Sequence, residues 1–207
     1  MRAHRALTAV AAVALAVTGC TTTEAGVATP GTVADSTSTS TSEPTSEVPR
    51  VNDPLDASRY IVDPCAVLTQ AQLASYGVSR NGRPDTASAS AEYSGPSCLW
   101  FGQEVDAAIG VVWQTTNENG LSDTYGLQED FATWEHFEAT EVDNYPAVFT
   151  NLDGDAEFGN CGLVVGISDT LTFYVLLQGH SKIDGEASCN RVMQVATAVI
   201  QKLKENP

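Results

Sequence analysis

Cys161-Gly162-Leu163-Val164-Val165-Gly166-Ile167, then Ser168-Asp169-Thr170, then Leu171-Thr172-Phe173-Tyr174-Val175-Leu176-Leu177, is the stretch that decides the fold. Two short runs rich in Val, Leu and aromatic residues flank a polar triplet, which reads as two strands joined by a tight turn. Working upstream, residues 105–115 place Val105, Ala107, Ile109, Val111 and Trp113 on one parity, hence on one sheet face. Residues 97–101, 135–142 and 147–152 read as further strands. Downstream, Val192, Val195, Ala196, Val199 and Leu203 fall on one stripe of a C-terminal helix. Near residue 60, Asp63-Pro64-Cys65 makes a turn, and Thr69 caps a short helix through Ala71, Leu73 and Tyr76 that stops at Gly77. Residues 79–96 read as a polar loop. Residues 119–131, with Leu121, Tyr125 and Leu127, fit a poor helix or a long loop. The order helix, strands, helix predicts an α+β fold. The expected architecture is an antiparallel sheet of about five to six strands, with a short N-terminal helix and an amphipathic C-terminal helix packed on it.

The start of the chain carries an address. Arg2 and Arg5 precede a predominantly apolar run over residues 6–17, which ends in Val17-Thr18-Gly19-Cys20. A positive start, a short apolar stretch and small residues before a cleavage point describe an export signal. The tetrapeptide resembles a bacterial lipobox, in which the Cys thiol is acylated and becomes the new N-terminus; an ordinary signal peptide that happens to precede a Cys is the plainer alternative. The expectation is a lipoprotein signal peptide over 1–19 and lipidation at Cys20. A diacylglycerol group supplies two chains, enough for stable anchoring at the extracytoplasmic face of the cell membrane. Residues 20–58 are dominated by Thr, Ser, Pro, Gly and Glu, including Thr37-Ser38-Thr39-Ser40-Thr41-Ser42. Such a composition buries too little apolar surface to offset ordering entropy, so it reads as a disordered tether. Ser and Thr with interspersed Pro also match O-glycosylated stalks, although an unmodified spacer fits equally. The globular domain is expected over 59–207.

Composition excludes several classes. The 207 residues are 43% hydrophobic and carry a formal charge of -16. Nucleic-acid binding needs clustered Lys and Arg to displace counterions, and the balance here is the reverse. No apolar run reaches the ~20 residues of a spanning helix. Between Arg83 and Lys182 there is no Lys or Arg, while sixteen Asp and Glu occur. That stretch reads either as a solvated exterior or as a face attracting cations or a basic partner.

Assigning Cys20 to lipid leaves Cys65, Cys98, Cys161 and Cys189, an even set in an oxidising compartment. Four cysteines permit three pairings, of which Cys65–Cys98 and Cys161–Cys189 are preferred because each ties a helix to the nearby sheet. A redox or zinc centre is disfavoured by the absence of C-x-x-C spacing. Asp63-Pro64-Cys65-Ala66-Val67-Leu68-Thr69, Cys98-Leu99-Trp100, Tyr145-Pro146-Ala147-Val148, Cys161 and Cys189, in that order, resemble a family of actinobacterial lipoproteins catalogued as domain of unknown function 3558. The resemblance covers about residues 61–204. Asn144 departs from the Gly more usual before Tyr-Pro, though both residues tolerate a turn. What it implies is an exported lipoprotein with paired cysteines, and no activity.

The search for chemistry is mainly exclusion. His136 and His180 belong to no H-E-x-x-H or other close metal-ligand cluster, and G-x-S-x-G, S-x-x-K and P-loop signatures are missing. Asp153, Asp155 and Glu157 alternate as oxygen ligands could in a calcium loop. The Gly and Glu such a loop requires are replaced by Ala156 and Gly162, and Asp153-Gly154 reads better as a hairpin turn. Trp100 and Trp113 follow core parities. Trp134 and His136 sit in an irregular acidic segment, where they either line a ligand pocket or edge the sheet. No cofactor is implied. The expected function is a non-catalytic binding or interaction module of the cell envelope, taking a small ligand or another envelope protein. An envelope hydrolase whose site is assembled from separated residues is the alternative.

Overall fold

The computed structural model describes residues 48–102, 107–130, 134–152, 159–179 and 185–205. The hairpin that anchors the sequence reading is there: β6 (Cys161–Ser168) and β7 (Leu171–Gly179) pair antiparallel in the register Leu163↔Val175 and Val165↔Phe173. Around them run β1 (Arg83–Asp85), β2 (Ser97–Phe101), β3 (Ala107–Gln114), β4 (Trp134–Val142) and β5 (Tyr145–Leu152). The seven strands form one sheet in the order β1-β2-β3-β7-β6-β5-β4, antiparallel throughout. Two meanders, β1 to β3 and β4 to β7, therefore meet at the β3–β7 seam. The fold is α+β, as expected, with one strand more than the sequence reading counts.

The extra strand is β1, inside the segment read as loop. Three residues, one of them Pro84, cannot show an alternating pattern. The same segment holds α3 (Ala89–Ser94), whose N-cap Ser88 accepts from the amides of Ser90 and Ala91. Residues 119–131 resolve as α4 (Leu121–Asp130). The Thr69 cap is present with its partner, since Thr69 and Gln72 form a reciprocal capping box at the start of α2 (Gln70–Ser75), and Gly77 follows at φ +79.

One sheet face holds the main core. Ile109, Val111 and Trp113 of β3, Phe173, Val175 and Leu177 of β7, and Leu163, Val165 and Ile167 of β6 are all sealed from solvent. Over them lie α1 (Ser58–Val62), a 3-10 turn at Pro64–Val67, and α5 (Gly185–Lys204). The stripe Val192, Val195, Ala196, Val199 and Leu203 is the buried side of α5. Trp100, buried on β2, shares this face, as its parity with Cys98 requires. Cys65–Cys98 ties the 3-10 turn to β2, and Cys161–Cys189 ties β6 to α5, the preferred pairing.

The described residues cover the opposite face only in part. The chain leaves β3 in mid-sheet and must reach β4 at the far edge, and α4 makes that crossing over β6. Leu121 and Tyr125 of α4 pack on Val148 and Val164, with Tyr125 edge-on to Phe137 at 5.3 Å. Gly166 lies under this contact, where a Cβ would run into the Leu121 side chain.

The folded chain begins earlier than residue 59. Val51 and Leu55 pack on the core and Ala57 is within it. Leu55 N–H donates to the Ile167 carbonyl at 2.9 Å, Val51 N–H and the Arg50 guanidinium reach the Asp169 carboxylate, and Tyr145 Oη–H donates to the Asp53 carbonyl. Residues 48–58 have the polar composition of the tether, but a few well-spaced apolar side chains suffice to dock them on the end of the sheet. The β4–β5 hairpin turns at Asp143 and Asn144, both at positive φ, which explains why Asn substitutes for Gly there.

Candidate functional site

Because α4 crosses the second face over β6 and α3 sits at the far end of β3, a groove of about 770 Å3 remains between them. This lies within the usual size range of ligand sites, roughly 300–1,000 Å3. Its floor is sheet: Thr150 of β5, Val164 of β6 and Tyr174 of β7. One wall is α3 with the exit of β3, contributing Tyr93, Ser94, Gln114, Thr116 and Asn117. The other is the α4 surface, contributing Ser122, Asp123, Thr124, Gly126 and Leu127.

Each wall is held by identifiable bonds. Thr116 Oγ1–H donates to the Tyr93 carbonyl at 3.0 Å, joining the β3 exit to α3. Gly95 ends α3 at φ +108, and a Cβ there would collide with the Trp113 carbonyl, so only glycine lets α3 close onto β3 at this point. Thr172 Oγ1–H donates to Gln114 Oε1 at 2.9 Å, which fixes the amide and leaves its NH2 as the remaining donor group. On the opposite wall, Asp123 accepts from the Asn119 backbone amide at 3.1 Å and from its side-chain amide at 2.9 Å. The carboxylate stands in the first turn of α4, where the helix dipole favours it. On the floor, Tyr174 lies against Gly162, whose missing Cβ makes room for the ring.

The two rims are unusual for their apolar exposure. Tyr93 is 85% exposed and Leu127 42%, two of the few large hydrophobic side chains left open to solvent among the described residues. Titratable chemistry in the groove is sparse. Among the described residues the lining contains one carboxylate, Asp123, two tyrosines, and no Lys, Arg, His or Cys. Elsewhere, Ser88 holds the Asp85 carboxyl below its ordinary value by donating to it from both hydroxyl and amide, and burial raises the Tyr125 phenol. A second hollow, of about 300 Å3, lies where residues 48–51 cross the β6–β7 turn beside Leu121.

None of the described residues singled out from sequence as site candidates lines the groove. Cys65, Cys98, Cys161 and Cys189 are structural bridges. Trp134 and His136 lie on the edge strand β4, opposite Leu152 and Asn151 with a register shift between them, and their side chains fall outside the described set. Cys20, His180, Asp153, Asp155 and Glu157 lie outside the described residues. Among the described residues no three His, Cys, Asp or Glu come together as a metal set, and no helix is long and apolar enough to cross a membrane. The groove residues escaped the sequence reading because α3 lay within an apparent loop. Leu127, in the ambiguous stretch 119–131, and Val164 and Tyr174, in the hairpin, are the lining residues that the sequence reading names, none of them as a site.

No curated protein matches the chain. A family model described as protein of unknown function (DUF3558) matches residues 15–202, most of the sequence and all the strands and helices above up to the last turn of α5. The chain belongs to this family, DUF3558.

Proposed function

We propose that the chain is a lipid-anchored module of the cell envelope that holds a ligand in the groove between α3 and α4 and does not transform it. The observation that carries this reading is the composition of the groove: a sizeable concave surface with an aromatic on the floor and another on the rim, neutral hydrogen-bonding groups between, and a single carboxylate already engaged by Asn119. Hydrolysis at such a surface calls for a nucleophile with an adjacent base, or for two facing carboxylates, and the described residues of the lining supply neither set. Binding requires no more than what is there.

The anchoring part of the proposal rests on Cys20 and its flanks. Two observations support it. The two disulfides occupy the other four cysteines, as befits an oxidising compartment, and leave Cys20 for a different role. The family match begins at residue 15, so Cys20 lies within it. Metabolic labelling with a fatty-acid precursor, followed by membrane fractionation, tests the anchor. The native chain is expected to take up label and sediment with membranes, and Cys20→Ala to do neither. Equal labelling of the two removes the anchor from the proposal.

A further inference from the structure

We infer that the groove takes a neutral polyhydroxylated ligand, a short stretch of uncharged glycan. The inference rests on the binding reading above and adds the class of ligand.

Charge narrows the choice first. Every lining residue comes from the stretch between Arg83 and Lys182, which contains no Lys or Arg, in a chain of net charge -16. A phosphate, sulfate or uronate would meet no countercharge there and would be repelled by Asp123. Hydrogen-bonding inventory narrows it further. Ser94, Gln114, Thr116, Asn117, Ser122 and Thr150 carry hydroxyls or carboxamides, which both donate and accept. A sugar hydroxyl has the same dual character, so donor and acceptor can be matched on either side. A hydrocarbon chain lying there would desolvate these groups and offer no partner for the donors and acceptors that are not already bonded within the protein, such as the Gln114 NH2, at about 1–3 kcal/mol for each one buried.

The tyrosines supply the complementary part. A sugar ring has an apolar C–H face, and an aromatic side chain with a polar tip is suited to cover it while the hydroxyls around it stay bonded. Tyr93 stands out from the rim and Tyr174 lies on the floor. Two other classes fit less well. A cationic amine would have one carboxylate, already accepting two hydrogen bonds from Asn119. A peptide bound by strand addition needs a free strand edge, whereas this groove offers the side-chain face of the central strands.

The test is calorimetric titration of the full chain, purified in mild detergent. The probes are short neutral gluco-, galacto-, manno- and arabino-oligosaccharides. Parallel arms use the same sugars bearing uronate or sulfate, spermidine, and a mixture of neutral peptides. The expected result is binding of at least one neutral series, with the charged counterpart weaker by about tenfold or more. Tyr93→Ala and Gln114→Ala should each weaken binding by about tenfold, and Val62→Ser, an exposed change on α1, should leave it unaltered. Tyr93 is so exposed that its removal leaves the fold intact, and the unchanged melting temperature of that variant is the control. Binding of spermidine or peptide that Tyr93→Ala abolishes, with every neutral sugar silent, overturns the glycan assignment and keeps the binding module. Sugar binding indifferent to both groove variants overturns the site. Silence across all probes overturns both readings.

Discussion

Asn151 shows how single side chains complete this sheet. The β5–β6 register ends at Phe149↔Leu163, and the next amide on β6, Gly162 N–H, would face β5 without a backbone acceptor. Asn151 Oδ1 accepts from it at 3.0 Å, deep in the protein, with the residue only 4% exposed. Removing the acceptor leaves a buried donor unsatisfied, so Asn151→Ala is expected to lower stability by about 1–3 kcal/mol, read as a shift in the urea midpoint at constant slope. A change below about 0.5 kcal/mol would mean that water or a shifted strand replaces the carboxamide. The consequence reaches the groove, because Gly162 is the residue on which Tyr174 rests. None of this is visible in the chain as written. Asn151 reads there only as part of a strand over 147–152, and only pairing with β6 reveals its buried partner.

At the scale of elements, the α3 wall hangs on its N-cap. Asp85, the last residue of β1, receives both the amide and the hydroxyl of Ser88, and Ser88 in turn caps α3. These bonds favour the ionised carboxyl, so the folded-state value lies below 3.8. The sign follows from linkage. The contribution is complete above the unfolded value of 3.8 and disappears as pH falls through the lower folded one. The protection of the Ser90 and Ala91 amides, taken relative to intrinsic exchange at each pH, is accordingly expected to fall only below pH ~4, while Asp85→Asn should lower that protection at neutral pH and remove the acid step. An unchanged acid dependence in Asp85→Asn would place the control elsewhere. The opposite wall, α4, has only Leu121 and Tyr125 as its apolar stripe and an exposed Gly126 in mid-helix. Such a helix is weak by propensity and is held by its packing on Val148 and Val164. That is also why residues 119–131 read equally as helix or loop: tertiary contact decides the element, not its own residues. The strands β2 to β7 and the helix α5 were legible because each runs long enough to show its period, whereas β1 and α3 are too short to show one.

For the whole molecule, the two bridges fasten helical layer to sheet on the side away from the groove. They span sequence separations of 33 and 28 residues. On the chain-entropy account each contributes about 3–4 kcal/mol, so the Cys161→Ala/Cys189→Ala pair is expected to melt roughly 10 °C lower than the native chain. Scanning calorimetry in oxidising buffer measures it, and a shift under about 2 °C would show that the β6–α5 contact holds without its bridge. Because Cys161 and Cys189 lie on the main-core side, this loss of stability should leave the walls of the groove in place until the domain unfolds. By itself the sequence determined the class of fold, the main hairpin, the buried stripe of α5 and a pairing preference for the cysteines. These follow from periods of 2 and 3.6 residues and from local spacing, which any contiguous segment carries. The groove was decided only by tertiary structure. Tyr93, Gln114, Asp123 and Tyr174 are separated by up to 81 positions and meet because α4 has to cross the sheet from β3 to β4. Where that crossing leaves a sheet face open is a property of strand order, and strand order has no period for a sequence to display.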